Sequence, residues 1–254
     1  MHNTFRLAMV KIKHGVVSAQ NQLTLRAVLG RKYSKPVPTS YTRLGTTWGG
    51  WWVESTFLIS PAERILISAG LGGDISFEKE IEKSGVKIVG VDPDPKCHEY
   101  LDTVIPPNFF LSRITAALSN HTGSGVLYKY DEKNFDSWTH ENLAGQRSIS
   151  QTFQTISILD LYKELDLATE FPQIYLKMDI EGSEEIVLPS VIQNHLKVEY
   201  LSVEFDFLNL IPALSLRTRF EKIKSARNLL TGLESVGYEL VFHEDFNLYW
   251  KFQE

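Results

Sequence analysis

Residues 64–92 read RILISAGLGGDISFEKEIEKSGVKIVGVD, and this stretch decides the fold class. The apolar runs RILISA (64–69) and VKIVGVD (86–92) are typical of buried strands. Between them, ISFEKEIEKSG (75–85) has apolar residues at helical spacing and ends on a glycine, as helices commonly do. A strand, a glycine-rich turn, a helix and a second strand form a βαβ unit, which predicts two parallel strands.

The same alternation of strands and helices continues to the C-terminus. It implies a parallel sheet with helices on both faces and with ligands beyond the carboxyl ends of its strands. We therefore predict a Rossmann-like α/β fold, a doubly wound, mostly parallel sheet of about seven strands with an antiparallel C-terminal edge hairpin. The further predicted elements are a helix at 95–104, a strand within 109–119, a strand at 124–130 joined to it through the hairpin turn NHTG, a helix at 156–165, strands at 174–179 and 199–206, helices at 184–196 and 216–237, and strands at 238–244 and 247–252.

The N-terminal segment differs in charge from the rest of the chain. Residues 1–53 hold eight Lys or Arg and no acidic residue, which leaves 18 basic and 31 acidic residues beyond them. We predict a basic helical or arm-like extension over residues 1–50 and one main domain over residues 51–254. Either this extension packs on the acidic body, or it contacts an anionic surface, a partner or a second copy in a homodimer.

The composition argues against several classes of protein. A net charge of −5 does not suit a dedicated nucleic-acid binder. The apolar runs are too short to cross a bilayer, and the N-terminus lacks the apolar core of a secretory signal. The single cysteine, Cys97, rules out an internal disulfide and suits a reducing, cytoplasmic location. We therefore expect a cytoplasmic protein without a transmembrane segment or a nucleic-acid partner.

The glycine turn after the first strand indicates a nucleoside ligand. If Gly70 and Gly72 are aligned with the dinucleotide motif GxGxxG, its third glycine is replaced by Ile75, which leaves little clearance for a diphosphate. S-adenosylmethionine has no phosphate and needs no such clearance. Asp92, 22 positions after Gly70, ends the second strand, where we expect it to be exposed and to bind both ribose hydroxyls. Alternatively, Asp92 only forms the turn before Pro93.

The stretch LKMDIEGSEEIVL (176–188) is the most specific in the chain. Lys177 and Asp179 lie on one side of a predicted strand, where charges are costly unless they are paired or functional. This stretch resembles the FkbM family of S-adenosylmethionine-dependent methyltransferases, whose hallmark is a Lys-x-Asp-x-Glu-Gly turn followed by a small residue, an acid and an apolar helix. The residues that fill these places are Lys177, Asp179, Glu181, Gly182, Ser183 and Glu184.

The resemblance covers roughly residues 48–206 and implies a class I methyltransferase fold and methyl transfer from S-adenosylmethionine to oxygen. One departure is Ser68, since many class I methyltransferases have an acid there, two residues before the first glycine. Asp74 or Glu78 can replace the contact of that acid with the methionine amino group. The expected cofactor contacts are Ser68, Ala69, Gly70, Gly72, Gly73, Asp74, Glu78, Asp92, Pro93, Ala117, Leu118 and Asp179.

The resemblance also implies a reaction in which positioning dominates and a base assists the acceptor hydroxyl. Asp179 is the first candidate for that base, with Glu181 and Glu204 next, and Lys177 completes the predicted catalytic set. Alternatively, these acids only cap the following helix or bind Lys177. Acids at one sheet edge can also hold a divalent ion, but no aspartate–asparagine pair or histidine completes a set, so no metal is predicted.

The expected acceptor is a hydroxyl of a small molecule or a glycan. The polar insert at 131–151 has no periodicity and is typical of a lid, and its Trp138, His140 and Arg147 are candidates to contact a sugar-like acceptor. The motif WGGWW (48–52) spans the boundary between the predicted arm and the domain, and we expect its tryptophans to bury as a structural clasp, with substrate stacking as the alternative.

Two other functions stay open. One is a NAD-dependent oxidoreductase, against which Ile75 and the lack of a Tyr-x-x-x-Lys pair both count. The other is a catalytically degenerate Rossmann-like binding protein, which Ser68 favours.

Overall fold

The computed structural model describes residues 20–59, 63–129, 138–139, 149–166, 173–209 and 215–253. Two short 3-10 helices, Gly30–Ser34 and Ser55–Leu58, accompany the main elements. The strands are β1 (Tyr41–Leu44), β2 (Trp51–Glu54), β3 (Arg64–Ala69), β4 (Lys87–Val91), β5 (Ser112–Ile114), β6 (Ala117–Ser119), β7 (Gly123–Lys129), β8 (Ile149–Ser157), β9 (Gln173–Met178), β10 (Tyr200–Glu204), β11 (Tyr238–Glu244) and β12 (Asn247–Phe252). The helices are α1 (20–29), α2 (Ser76–Lys83), α3 (Pro95–Val104), α4 (Ile158–Glu164), α5 (Glu184–Gln193), α6 (Asp206–Asn209) and α7 (Leu216–Ser235).

A seven-stranded mixed sheet forms the centre of the fold, in the order β11-β12-β10-β9-β3-β4-β5. The five strands from β10 to β5 run parallel, while β12 is antiparallel to both β10 and β11. This arrangement confirms the predicted α/β class and the antiparallel C-terminal pair. Because the parallel strands share one direction, their carboxyl ends meet at one edge of the sheet, where the predicted site residues follow β3, β4, β9 and β10.

Apolar residues cover both faces of this sheet. All six residues of β3 are buried, and they alternate between two core clusters: Ile65 and Ile67 face one, and Leu66 faces the other. The first cluster includes residues of α1, α5 and α7, and the second includes residues of β2, α2 and α3. A strand buried on both faces explains why RILISA is a continuous apolar run rather than an alternating one.

The region after β5 differs from the prediction. The expected third strand within 109–119 divides into β5, which joins the main sheet, and β6, which joins a separate three-stranded sheet in the order β6-β8-β7. The predicted NHTG hairpin is wrong, because β8 lies between the two strands, parallel to β6 and antiparallel to β7. The predicted helix at 156–165 begins only at Ile158, where Ser157 accepts a hydrogen bond from the amide of Asp160 (3.1 Å).

The described part of the basic extension lies against the acidic body. Lys32 pairs with Glu234, Lys35 Nζ lies 3.1 Å from a Glu239 oxygen, and Arg43 Nε lies 3.5 Å from a Glu244 oxygen. These contacts fit the first of the two expectations for the extension. Contact with an anionic surface or a second copy stays a prediction. None of the described helices is long and apolar enough to cross a membrane.

Candidate functional site

A cleft of about 720 Å³ opens at the carboxyl ends of the parallel strands. Most of the predicted site residues line it, although they come from five separate places in the chain. Ser68, Ala69 and Glu78 are buried and do not line the cleft. The predicted residues that do line it are Gly70, Gly72, Gly73, Asp74, Asp92, Pro93, Ala117, Leu118, Lys177, Asp179, Glu181 and Glu204.

The glycine turn packs tightly against the turn that follows β9. Gly70 has a φ of 80°, and a Cβ on it would lie 1.7 Å from the carbonyl oxygen of Asp179. The amide of Asp179 donates to the carbonyl of Ala69 (3.0 Å), which ties the two turns together. Gly72 also has a positive φ, 52°, but nothing lies within 4 Å of its added Cβ, so its backbone faces open space. The turn therefore has a closed side toward β9 and an open side.

Asp92 holds the glycine turn from the second strand. Its Oδ2 accepts hydrogen bonds from the amides of Leu71 (3.0 Å) and Gly72 (3.2 Å), and its Oδ1 accepts one from the amide of Asp94 (2.9 Å). Burial raises the pKa of Asp92, and these backbone hydrogen bonds oppose the rise. The expectation that Asp92 is exposed is wrong, because its side chain turns inward to these amides and only 7% of the residue is accessible.

Lys177 joins the glycine turn to helix α2. Its Nζ donates to the carbonyl of Gly70 (2.8 Å) and lies 3.5 Å from an oxygen of Glu78, and both side chains are buried. Glu78 also accepts a hydrogen bond from the hydroxyl of Ser68 (2.5 Å). Glu78 is therefore engaged with Lys177 and Ser68 and does not line the cleft, whereas Asp74 does.

Asp74 connects the cleft to the N-terminal arm. Its two carboxylate oxygens accept hydrogen bonds from the hydroxyl of Thr46 (2.5 Å) and the amide of Ser76 (2.9 Å). Burial opposes ionisation, but the hydrogen bonds to the carboxylate prevail and hold the pKa of Asp74 below its usual value. A Cβ on Gly49 would lie 2.5 Å from the Asp74 carboxyl carbon, so the arm needs a glycine to approach this closely.

The three tryptophans of the arm have different surroundings. Trp51 and Trp52 pack against Tyr249 and Phe242 respectively, as the clasp interpretation expects. Trp51 also lines the cleft but is buried, whereas Trp48 lines it with 93% of the residue exposed.

The loop that carries Trp48 is held in place by Arg43. The guanidinium donates to the carbonyls of Thr46 (2.6 Å), Thr47 (3.0 Å) and Gly50 (3.0 Å). A fixed loop therefore presents an exposed indole ring at the cleft.

Carboxyl groups gather at the ends of β9 and β10. Asp179, Glu204 and Asp206 offer oxygen atoms that all lie within 4.8 Å of one another, and we call these three residues the acid cluster. Burial raises the pKa of Glu204 to about 10, and the charges of Asp206 and Asp179 add to the shift. The raised pKa favours the protonated form of Glu204, and its role as a base stays a prediction. Sequence reasoning did not select Asp206.

The turn between β9 and α5 has a strained backbone. Glu181 has a φ of 55° and Gly182 a φ of 94°, so two consecutive residues are left-handed. Glu184 closes this turn from behind, since its Oε1 accepts from the amides of Ile180 (3.1 Å) and Gly182 (3.3 Å). Left-handed conformation is costly for a residue with a Cβ and is often kept at functional sites. In this turn, the left-handed residue Glu181 lines the cleft.

The small sheet supplies an apolar wall at the other end of the cleft. Leu127 and Trp138 line this wall beside Ala117 and Leu118. The indole N–H of Trp138 donates to Asp94 Oδ2 (3.0 Å), and the ammonium of Lys129 lies 4.6 Å from the centroid of its ring. Trp138 is thus a fixed part of the wall. His140 and Arg147 lie outside the described residues.

Comparison of the chain with protein-family models and with curated proteins gives no match.

Proposed function

We propose that this chain is an S-adenosylmethionine-dependent O-methyltransferase with a class I fold, similar to the FkbM family, and that its acceptor is a hydroxyl of a small molecule or a glycan. The observation that carries the proposal is the convergence of the glycine turn, Asp92 and the Lys-x-Asp-x-Glu-Gly turn on one cleft. The strand order also supports the proposal, because the antiparallel strand β12 lies between β11 and β10, next to the edge of the main sheet.

The residues around the cleft fit this cofactor. The open side of Gly72 leaves room for a ligand at the turn, and the apolar wall of Ala117, Leu118 and Trp138 suits a flat base. Asp92 accepts three backbone hydrogen bonds, and a carboxylate has about four acceptor positions, so it can still accept from a ribose hydroxyl. Ile75 is buried at the position of the third glycine of the dinucleotide motif, so the turn lacks the glycine that would give a diphosphate clearance.

The acids of the cleft suit a cationic cofactor. S-adenosylmethionine carries a sulfonium and an ammonium group, and it supplies the electrophilic methyl group when bound. Asp74, whose pKa is held low, offers a carboxylate for the ammonium. Lys177 holds the glycine turn through the Gly70 carbonyl and acts as a positioning residue.

Asp179 is the residue we assign as base. It lines the cleft at the end of β9, and the turn that carries it is fixed to the glycine turn through its own amide. Its carboxylate would accept the proton of the acceptor hydroxyl while Glu204 keeps its own proton. Alignment of the acceptor oxygen by the rigid turns would supply most of the rate acceleration.

Trp48 is the residue we assign to acceptor binding. An exposed indole at the cleft can stack on the apolar face of a sugar ring, while the carboxyl groups of the cleft accept hydrogen bonds from its hydroxyls. We expect Trp48→Ala to raise the KM for the acceptor and to leave kcat and cofactor affinity nearly unchanged, whereas Trp48→Phe keeps most of the affinity. An unchanged KM in Trp48→Ala would remove this assignment.

The cofactor assignment is tested by calorimetric titration with S-adenosylmethionine, S-adenosylhomocysteine and NAD. We expect micromolar binding of the first two and an affinity about ten-fold weaker in Asp92→Asn, because a charge-assisted hydrogen bond is lost. Asp102→Asn, at an exposed carboxylate paired with Arg113, is the matched control. Thermal melts show whether both variants fold.

Each other outcome points to an alternative function. Binding of NAD alone would favour the oxidoreductase. Binding of none of the three ligands would favour the degenerate binding protein, in line with Ser68 at the place of the motif acid. If the cofactor binds, transfer of a tritiated methyl group to a panel of sugars and other polyols tests the reaction itself, and absence of transfer to any hydroxyl would contradict the proposed reaction.

A further inference from the structure

Helices α1 and α7 carry large apolar side chains that the core does not use. On α7, Leu216 and Phe220 lie one turn apart on the same side of the helix, and each is 73% exposed. On α1, Leu23 is 65% exposed. Single exposed apolar residues are common, but a group of them at one place marks a binding surface. We call these three side chains the apolar patch.

Two contacts place the apolar patch at one end of the helix pair. Arg227 Nε donates to the carbonyl of Ala27 (2.9 Å), and Lys32, beyond the end of α1, pairs with Glu234 near the end of α7. The two helices therefore run side by side in the same direction. Leu23 lies one turn before Ala27, which is about 6 Å along the axis, and so stands level with the first half of α7.

This end of the molecule is basic. Residues 216–227 of α7 hold five Lys or Arg and one acid, Glu221, which already pairs with a basic residue of the same helix. Lys224 is exposed and follows Phe220 by one turn, so it continues the apolar side of the helix. Arg227, also exposed, follows it by three residues. The apolar patch therefore borders exposed positive charge.

The apolar patch lies toward the edge of the sheet that carries the cleft. Helix α7 ends at Ser235, and β11 begins three residues later at Tyr238. Strand β11 runs in the same direction as β10, since both are antiparallel to β12, so it begins at the edge opposite the cleft. Helix α7 therefore runs away from the cleft edge, and its first turns, with the patch, lie near that edge.

An anionic lipid surface fits the apolar patch better than a second copy of this chain. A two-fold dimer would bring the same basic residues face to face, and like charges oppose such contact. Three large side chains, each offering at most about 250 Å², also fall short of the roughly 800 Å² that each partner buries in a stable protein interface. Exposed apolar side chains bordered by Lys and Arg are instead typical of helices that lie on anionic bilayers.

We infer that the apolar patch and the basic residues beside it dock this protein on a bilayer that contains anionic lipids. Phe220 and the two leucines enter the boundary between the headgroups and the acyl chains, while Lys224 and Arg227 contact the anionic headgroups. This docking gives the expected contact with an anionic surface a definite place, which α7 shares with the basic extension. It does not depend on the proposed function.

The test is flotation of the full chain with lipid vesicles, made of phosphatidylcholine alone or with about one third phosphatidylserine. We expect binding to the anionic vesicles only, and weaker binding as added salt screens the charges. Phe220→Ser should weaken binding about ten-fold, because an inserted aromatic ring is lost. Lys224→Gln should weaken it about five-fold, the effect of one basic residue at such a surface.

Matched controls change the same residue types elsewhere. Ile59→Ser alters an apolar residue that is 68% exposed and follows the second 3-10 helix, and Lys83→Gln alters an exposed lysine of α2. Both should bind anionic vesicles as the natural chain does, and thermal melts show whether all variants fold. Equal vesicle affinity in folded Phe220→Ser and in Ile59→Ser overturns the patch as the docking site.

Three further outcomes overturn the inference. One is the absence of binding to either kind of vesicle, and another is equal binding to both kinds. The third is a dimer, seen by sedimentation without vesicles, that Phe220→Ser dissociates, because a second copy then covers the patch. Titration of the same samples with S-adenosylmethionine keeps the two proposals apart. Cofactor binding without vesicle binding leaves the methyltransferase proposal intact, and vesicle binding without cofactor binding supports the docking surface alone.

Discussion

The two halves of the cleft differ in how their polar groups are satisfied. In the glycine-turn half, formed by residues 70–74 and Asp92, the carboxylate accepts three backbone hydrogen bonds, and the Lys177–Glu78 pair closes the turn from behind. In the acid half, formed by the acid cluster and Glu181, burial and mutual repulsion hold a proton on Glu204 up to a pKa of about 10.

The two halves therefore differ in their electrostatic balance. Hydrogen bonds fix the conformation of the glycine-turn half, so the nucleoside that we propose for it would bind with little reorganisation. In the acid half, the charges of Asp206 and Asp179 raise the pKa of Glu204 beyond the effect of burial. The polar contacts of the glycine-turn half therefore stabilise its conformation, whereas the neighbouring carboxylates of the acid half disfavour the charged form of Glu204.

The largest effect is expected from breaking the buried pair in the glycine-turn half. Lys177→Met leaves Glu78 buried without its partner, which should lower the free energy of unfolding by about 3–5 kcal/mol. Urea unfolding measures this loss. The double variant Lys177→Met, Glu78→Gln should recover part of it, because the orphaned charge is gone. Lys83→Met, at an exposed pair, is the control and should change little. Equal losses in the single and double variants would contradict the pairing.

The contact between the two halves is tested at Gly70. In Gly70→Ala, the added methyl group meets the Asp179 carbonyl, and the alanine has to keep a left-handed φ. The substitution should therefore lower the free energy of unfolding by about 3 kcal/mol. Gly72→Ala has the same kind of φ but open space, and should cost only about 1 kcal/mol. Urea unfolding of both variants separates the steric contact from the backbone strain. Similar losses at the two positions would mean that the turns do not touch as described.

The acid half should show its repulsion in the pH dependence of stability. Folded Glu204 keeps its proton up to a pKa of about 10, whereas the unfolded chain loses it near 4.5, so the folded state binds more protons between these values. The contribution of Glu204 to stability therefore falls as pH rises through that window. Glu204→Gln should flatten the decline, measured by urea unfolding across the window. An unchanged slope would contradict the raised pKa.

The smallest effect is expected from relieving strain beside the acid cluster. Glu181→Gly removes the Cβ from a left-handed residue and should stabilise the fold by about 1 kcal/mol, or raise Tm by about 3 °C. Methyl transfer should fall, because the side chain leaves the cleft. His195→Gly relieves a similar φ of 49° at an exposed position and should stabilise without loss of activity. A loss of stability in Glu181→Gly would show that its side chain holds the turn.

Local pattern was sufficient for much of the fold. The continuous apolar run of β3, the glycine after it and the periodicity of α2 predicted a parallel βαβ unit, because burial on both faces leaves a signal in adjacent residues. The Lys-x-Asp-x-Glu-Gly turn likewise marked the sheet edge that carries the acids. The strand β8 escaped prediction: its residues ISQTFQTIS alternate, but polar residues exposed on one face made them resemble the preceding insert.

The sequence was sufficient for the order of the main-sheet strands and their helices and for the residue types at the ends of these strands, since short-range periodicity records which side of an element is buried. Tertiary structure alone decided the partners. It paired Lys177 with Glu78, set Asn247 opposite Glu204 and turned Asp92 inward onto the glycine turn. These contacts join residues that lie far apart in the chain, and no local pattern records them, because they depend on how the strands are ordered in the sheet.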